Sequence, residues 1–203
     1  MGRIFYVSSM HGDDTNSGQT PEDAFRSLRK INQLEIQPGD QIFLERGSVF
    51  IGEYLHLYAG GTKEAPVVVD AYGEGALPRI EADGNGIWYQ NYGGHLDNVV
   101  HTWKGYLSSA VLLYDAEYIS IRNLEITNNP CIKNERLNQA DRLNRTGVSV
   151  IAQNHGTLHQ IELDHLYIHD VEGNIYDKHL NNGGIYMSVS RPDDEEKTGI
   201  ARY

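Results

Sequence analysis

The run Ile119-Ser120-Ile121-Arg122-Asn123-Leu124-Glu125-Ile126-Thr127-Asn128 aligns without gaps on Ile161-Glu162-Leu163-Asp164-His165-Leu166-Tyr167-Ile168-His169-Asp170, 42 positions further along. Apolar residues coincide at Ile119/Ile161, Ile121/Leu163, Leu124/Leu166 and Ile126/Ile168, and each run closes on Asn128 or Asp170. Both copies alternate apolar and polar residues, break at a polar pair, then alternate again. Side chains alternate across a strand, so a strand, a sharp corner and a second strand produce this pattern when one face always points to a shared core. A second repeated element accompanies the first: Ala110-Val111-Leu112-Leu113-Tyr114, Gly147-Val148-Ser149-Val150-Ile151 and Gly184-Ile185-Tyr186-Met187-Ser188. About three strands per repeat follow.

A repeat of this length cannot bury its apolar face alone and must stack on its neighbours, roughly 4.8 Å apart, with each strand parallel to its copy. The expected class is therefore all-β, a parallel β-helix solenoid. A β-sandwich fits poorly, because it needs antiparallel hairpins with tight turns, whereas the similar segments here are separated by long polar insertions. An N-terminal cap and first coils are expected over residues 1–82, and coils over 83–203 with insertions at 88–109, 129–146 and 172–182. Ile4-Phe5-Tyr6-Val7, Gln41 to Glu45, Val49 to Ile51, Pro66 to Tyr72 and Arg79 to Ala82 read as strands bounded by Gly or Pro. One short helix is expected over Pro21–Asn32, with Phe25, Leu28 and Ile31 at three-residue intervals after Thr20-Pro21.

Composition agrees: 21 Gly, and 13 Tyr against 4 Phe, favour turns and strands. The formal charge of -11 speaks against a nucleic-acid partner and against anionic membranes, which need a basic surface. No apolar run approaches the ~18 residues of a membrane span, and no signal peptide is visible before the first strand, as expected of a cytoplasmic protein or of a sequence that starts at a boundary beyond an export signal. The lone cysteine, Cys131, excludes an intrachain disulfide and any cysteine-rich zinc site, and reads as a buried small hydrophobe.

Phe5-Tyr6-Val7-Ser8-Ser9, Gly12-Asp13-Asp14-Thr15-Asn16-Ser17-Gly18, Phe25-Arg26-Ser27-Leu28, Pro38-Gly39-Asp40, Arg46-Gly47 and Ala71-Tyr72-Gly73-Glu74-Gly75 resemble the N-terminal cap of right-handed parallel β-helix carbohydrate-active enzymes. The coils from Ile121 to Asn128 and at Ile168-His169-Asp170-Val171 resemble the same group. Within it the likeness is greatest to bacterial glycosidases such as the β-helix lacto-N-biosidases and the α-L-fucosidase/xylanase group, and looser to pectate-lyase-like lyases. The resemblance implies a right-handed solenoid and an extracellular or cell-surface setting, a cytoplasmic one being the alternative. It also implies further coils after Tyr203, supplied by C-terminal chain or by a complementary chain. No cofactor is expected.

Glycoside hydrolysis needs two carboxyl groups across the scissile bond, and Asp170 and Asp177 are the candidate pair. Asp170 ends a strand and Asp177 stands in the loop that leaves it; the lacto-N-biosidases, by resemblance, use two closely spaced aspartates. The competing reading makes Asp170 a turn cap equivalent to Asn128. His169 and His179 are candidates for orienting a carboxylate or binding sugar hydroxyls, with solvated loop residues as the alternative. His165 and His169 lie four apart, which on a strand with a corner does not put both rings on one face, so no metal site is expected.

Trp88, Tyr89, Tyr92, His95, His101, Trp103 and Tyr106 crowd the first insertion. Aromatic faces stack on the C–H faces of sugars, so Trp88, Tyr92, His95 and Trp103 are candidate substrate contacts. The alternative is that the two tryptophans pin the loop to the solenoid wall. Gly12 to Gly18 has the oxygen-rich look of a calcium loop but lacks the bidentate Glu of an EF-hand, and a stack of Asx turns is the expected outcome. The run Asp193-Asp194-Glu195-Glu196-Lys197 reads as a solvated turn. The expected function is a glycoside hydrolase acting on an oligosaccharide or polysaccharide. A non-catalytic glycan-binding or subunit-supporting module and a polysaccharide lyase are the alternatives.

Overall fold

In the computed structural model, which describes residues 2–91, 104–130, 143–173 and 181–190, the chain is built almost wholly of strands. β1 (Ile4–Val7) is followed by four passes through the same three sheets. The first pass is β2 (Gln41–Glu45), β3 (Val49–Ile51) and β4 (Leu55–Leu57), and the second is β5 (Val67–Tyr72), β6 (Arg79–Glu81) and β8 (Lys104–Tyr114), with β7 (Ile87–Asn91) before β8. β9 (Ile119–Arg122), β10 (Glu125–Asn128) and β11 (Asn144–Ala152) make the third; β12 (Ile161–Asp164), β13 (Tyr167–Val171) and β14 (Gly183–Val189) make the fourth. The sheet orders are β1-β2-β5-β9-β12, β3-β6-β10-β13 and β4-β8-β11-β14, and every neighbouring pair in them is parallel.

The repeat seen in the sequence is the repeat of this stack. Ile119 stands opposite Ile161, Ile121 opposite Leu163 and Ile126 opposite Ile168. Ile119, Ile121, Leu124 and Ile126 are buried, while Ile161, Leu163, Leu166 and Ile168 are partly buried against the same core. That core lies between the three sheets and takes alternate residues from each, such as Ile42 and Leu44, Val67 and Val69, and Val111 and Leu113. Gly147 matters here: a Cβ on it would fall 2.5 Å from Cγ2 of Ile168, so only glycine lets the inner wall close.

Corners reuse one backbone device. Tyr118 and Gln160 precede the first sheet with positive φ, and Asn123 and His165 turn the chain from the first sheet to the second with φ of 54° and 48°. These are left-handed single residues, a conformation that lets one position redirect a strand.

The helix expected over Pro21–Asn32 is divided. A 3-10 turn covers Pro21–Asp23 and α1 only Leu28–Asn32. Between them Phe25 is extended and bridges Val7, with Phe25 N–H donating to Tyr6 O and Ser8 N–H to Phe25 O. Capturing the Phe25 backbone on β1 and its ring in the core outweighs a marginal helix of this length. The Gly12 to Gly18 segment holds an Asx turn, Asp13 accepting from Thr15, and is tied to the rest of the cap by Asp14, which accepts from the backbone of Arg26 and Ser27. Among the described residues no helix is long and apolar enough to cross a membrane.

Strands also reach into segments that read as insertions. β8 begins at Lys104 and pairs antiparallel with β7, Trp88 opposite Leu107 and Tyr89 opposite Tyr106. Leu112 and Ile151 lie on the outer face of the third sheet, where Trp88 and Leu107 cover them with Tyr114 and Tyr186 alongside. Cys131 and Asp193 to Lys197 lie outside the described residues.

Candidate functional site

The second sheet ends on β13, and there the register slips. Glu125 faces Tyr167 and Ile126 faces Ile168, but Asn128 faces Val171, so one extra residue has entered β13. Asp170 has φ 47° and is, among the described residues, the non-glycine residue with positive φ that lies inside a strand; the other non-glycine examples stand at corners and turns. The equivalence of Asp170 with Asn128 therefore fails. Asn128 is fully buried and serves structure: its Oδ1 accepts from Gly84 N–H, and its Nδ2 donates to the carbonyls of Ser108 and Thr146. Asp170 is turned outward with its side chain 69% exposed.

Beside it, His169 spends both ring nitrogens on carboxylates. Nδ1 lies 2.9 Å from Oδ2 of Asp170, and Nε2 lies 3.1 Å from Oε1 of Glu125 on the neighbouring strand. That Glu125 oxygen also receives Arg79 at 3.3 Å, and Arg79 bonds Glu81 at 3.0 Å. Tyr167 stacks on the imidazole, ring centroids 4.3 Å apart. The hydrogen bond to Asp170, opposed by some desolvation and reinforced by the bond to Glu125, raises the His169 pKa above its ordinary value. Occupied on both sides, the ring suits carboxylate orientation better than direct binding of a sugar hydroxyl. His165 pairs instead with Asp164, away from this cluster. Asp177 and His179 lie outside the described residues, as do Tyr92, His95, His101, Trp103 and Lys178.

Trp88 does not present its face to solvent. It is 6% exposed, donates its indole N–H to Ser109 Oγ at 2.8 Å and meets Tyr114 edge-on, so it is the wall anchor of the two readings. Strand alternation turns Trp88 and Gln90 onto the outer wall of the third sheet, where they are covered, and Tyr89 to solvent. Tyr89 and Tyr106, 50% and 62% exposed and 5.2 Å apart, are the rings the hairpin displays among the described residues. Gln90 ties the hairpin across the sheet by donating to Tyr186 Oη at 2.9 Å and accepting from Asn181. The sequence does not reveal which ring of the Trp88-Tyr89 pair is exposed, because the side of the strand depends on its pairing with β8.

Among the described residues no group of three His, Cys, Asp or Glu is placed to hold a metal ion. A strained, exposed carboxylate braced by an imidazole on which Tyr167 stacks is an arrangement able to exchange protons with a bound polar substrate.

Segments similar to this chain occur in known proteins. No protein-family model matches it. It is 56% identical to the GH136 lacto-N-biosidase of Eubacterium ramulus, whose crystal structures, native and selenomethionine, superpose with a TM-score of 0.89. That match covers all of this chain, or 99% of it for the native form, and 32% of the solved one. It is also 40% identical, over 94% of its length, to the lacto-N-biosidase of Bifidobacterium longum subsp. longum, of which it spans 13%. The chain thus corresponds to about a third of the solved relative and a smaller part of the curated one.

Proposed function

We propose that this chain forms part of the catalytic apparatus of a glycoside hydrolase with lacto-N-biosidase activity, built on a right-handed parallel β-helix. The observation that carries the proposal is the 56% identity over the whole chain to the E. ramulus lacto-N-biosidase, with the backbone preserved at a TM-score of 0.89. The fourfold passage through three parallel sheets supports the β-helix, each pass being one coil. An extracellular or cell-surface setting belongs to the same reading.

Asp170 and Asp177 are the proposed carboxyl pair. Asp170 sits on a bulge, a backbone conformation that costs about 1–3 kcal/mol and persists where neighbouring structure enforces it. Its Oδ1 has no bonded partner among the described residues. Tyr89 and Tyr106 supply stacking faces for a sugar ring, with Tyr92, His95, Trp103 and His179 as further substrate contacts. The test is hydrolysis of a chromogenic lacto-N-bioside by the complete protein, with Asp170→Asn and Asp177→Asn as the decisive variants. Turnover lost in both, with substrate still bound, supports the pair. Substrate binding without turnover in the unaltered protein would instead favour a glycan-binding module.

A further inference from the structure

We infer that His169 is a positioning residue that clamps Oδ2 of Asp170, so that Oδ1 alone faces the substrate, and that Glu125 and Arg79 aim the clamp. The inference rests on the reading of Asp170 as a reacting carboxyl group. An aspartate this exposed, on an outward bulge, would otherwise rotate freely about its side-chain bonds. The Nδ1 to Oδ2 contact of 2.9 Å removes that freedom. Nothing about it depends on the proton carried at Oδ1, because Oδ2 accepts from the imidazole whether or not Oδ1 is protonated.

The imidazole needs its own brace. Tyr167 supports one face, and Nε2 reaches diagonally to Glu125, whose position is set by Arg79, which in turn is shared with Glu81. The groups facing His169 are thus Asp170 and Tyr167 on its own strand, Glu125 on β10, and Arg79 with Glu81 on β6 beyond. Two carboxylates on opposite sides of one ring favour the doubly protonated imidazole, which donates to both. Loss of a proton turns one nitrogen into an acceptor facing a carboxylate oxygen, so one of the two bonds is lost.

The role is atom-specific. Asn at 169 places its amide nitrogen near the position of Nδ1 and can still donate to Asp170, whereas Gln places its nitrogen near Nε2 and can reach only Glu125. In the complete protein His169→Ala should lower kcat ~10- to 100-fold with KM changed less than about twofold, since misplacing a reacting group by an ångström costs that much. His169→Asn should recover much of the loss and His169→Gln should not. Glu125→Gln should move the alkaline limb of the kcat profile to lower pH, because one of the two carboxylates that keep the imidazole charged is gone.

Equal kcat in the wild type and His169→Ala, or equal recovery by Asn and Gln, overturns the clamp. If the alanine variant fails to fold, the comparison of Asn with Gln still decides. Asp170→Asn is run beside them. Full turnover in that variant removes Asp170 from the reaction and the inference with it, whereas an inactive Asp170→Asn beside an unaffected His169→Ala removes the clamp alone.

Discussion

Val171, not Asp170, stands opposite Asn128, and this one-residue slip separates two side chains that the sequence alignment had made equivalent. Asn128 is buried in a hydrogen-bonded corner; Asp170 is pushed out beside His169. Asp170→Asn should therefore behave as loss of a reacting group. Turnover of a lacto-N-bioside by the complete protein is expected to fall ~10²- to 10⁴-fold with KM nearly kept, and thermal unfolding to shift little. Near-normal turnover would move the chemistry elsewhere.

Trp88 should matter to stability. Truncating a buried indole that bonds Ser109 and packs on Tyr114 is expected to cost about 3–5 kcal/mol in Trp88→Ala, and less in Trp88→Phe, where packing is largely retained. Chemical denaturation measures both. A stable Trp88→Ala variant would contradict its role as an anchor.

Tyr89 and Tyr106 should show the opposite profile. Both are exposed, so alanine at either is expected to leave unfolding within about 0.5 kcal/mol. If a sugar ring stacks there, KM should rise roughly three- to tenfold, equivalent to ~1 kcal/mol. Steady-state kinetics on each variant provides the check, and unchanged KM in both would remove the hairpin from the substrate site.

His56 should make the fold sensitive to mild acid. Burial, partly opposed by its bond to the Ser109 carbonyl, lowers its pKa from 6.5 to about 4. The unfolded chain therefore binds the extra proton between those values. Stability should be unaffected by this group above pH 6.5, fall as the pH drops towards 4, and change no further below it. The total is of the order of 3 kcal/mol. His56→Gln, compared with wild type by thermal unfolding at pH 7 and pH 4.5, should show a smaller acid loss; an equal loss would assign the sensitivity to other groups.

Leu124 and Leu166 hold corresponding places in successive passes but differ in burial. In the 203-residue chain by itself, Leu124→Ala is expected to cost about 2–5 kcal/mol and Leu166→Ala, on the last described pass, clearly less by chemical denaturation. Equal costs would mean that Leu166 is covered as fully as Leu124.

The strands, their parallel stacking and the residues that face the core were legible in the sequence because alternation along a strand is a local property and the repeat copies it from pass to pass. Ile121 above Leu163 follows from spacing alone. The Asx turn at Asp13 was legible because its bonds run to Thr15, two residues on, whereas the tie from Asp14 to Arg26 and Ser27 was not. What the tertiary structure decided lies where pairing partners are far apart in sequence. Phe25 leaves the helical pattern because β1 captures its backbone. Trp88 is buried against the outer wall of the third sheet and Tyr89 faces solvent because β7 pairs with β8. The extra residue in β13 sets Asp170 apart from Asn128, and the placement of Glu125 and Arg79 on two other strands gives His169 its second bond. Adding one residue to a strand moves the side chains that follow to the opposite face, and that choice is made by the neighbouring strand, which no local pattern records.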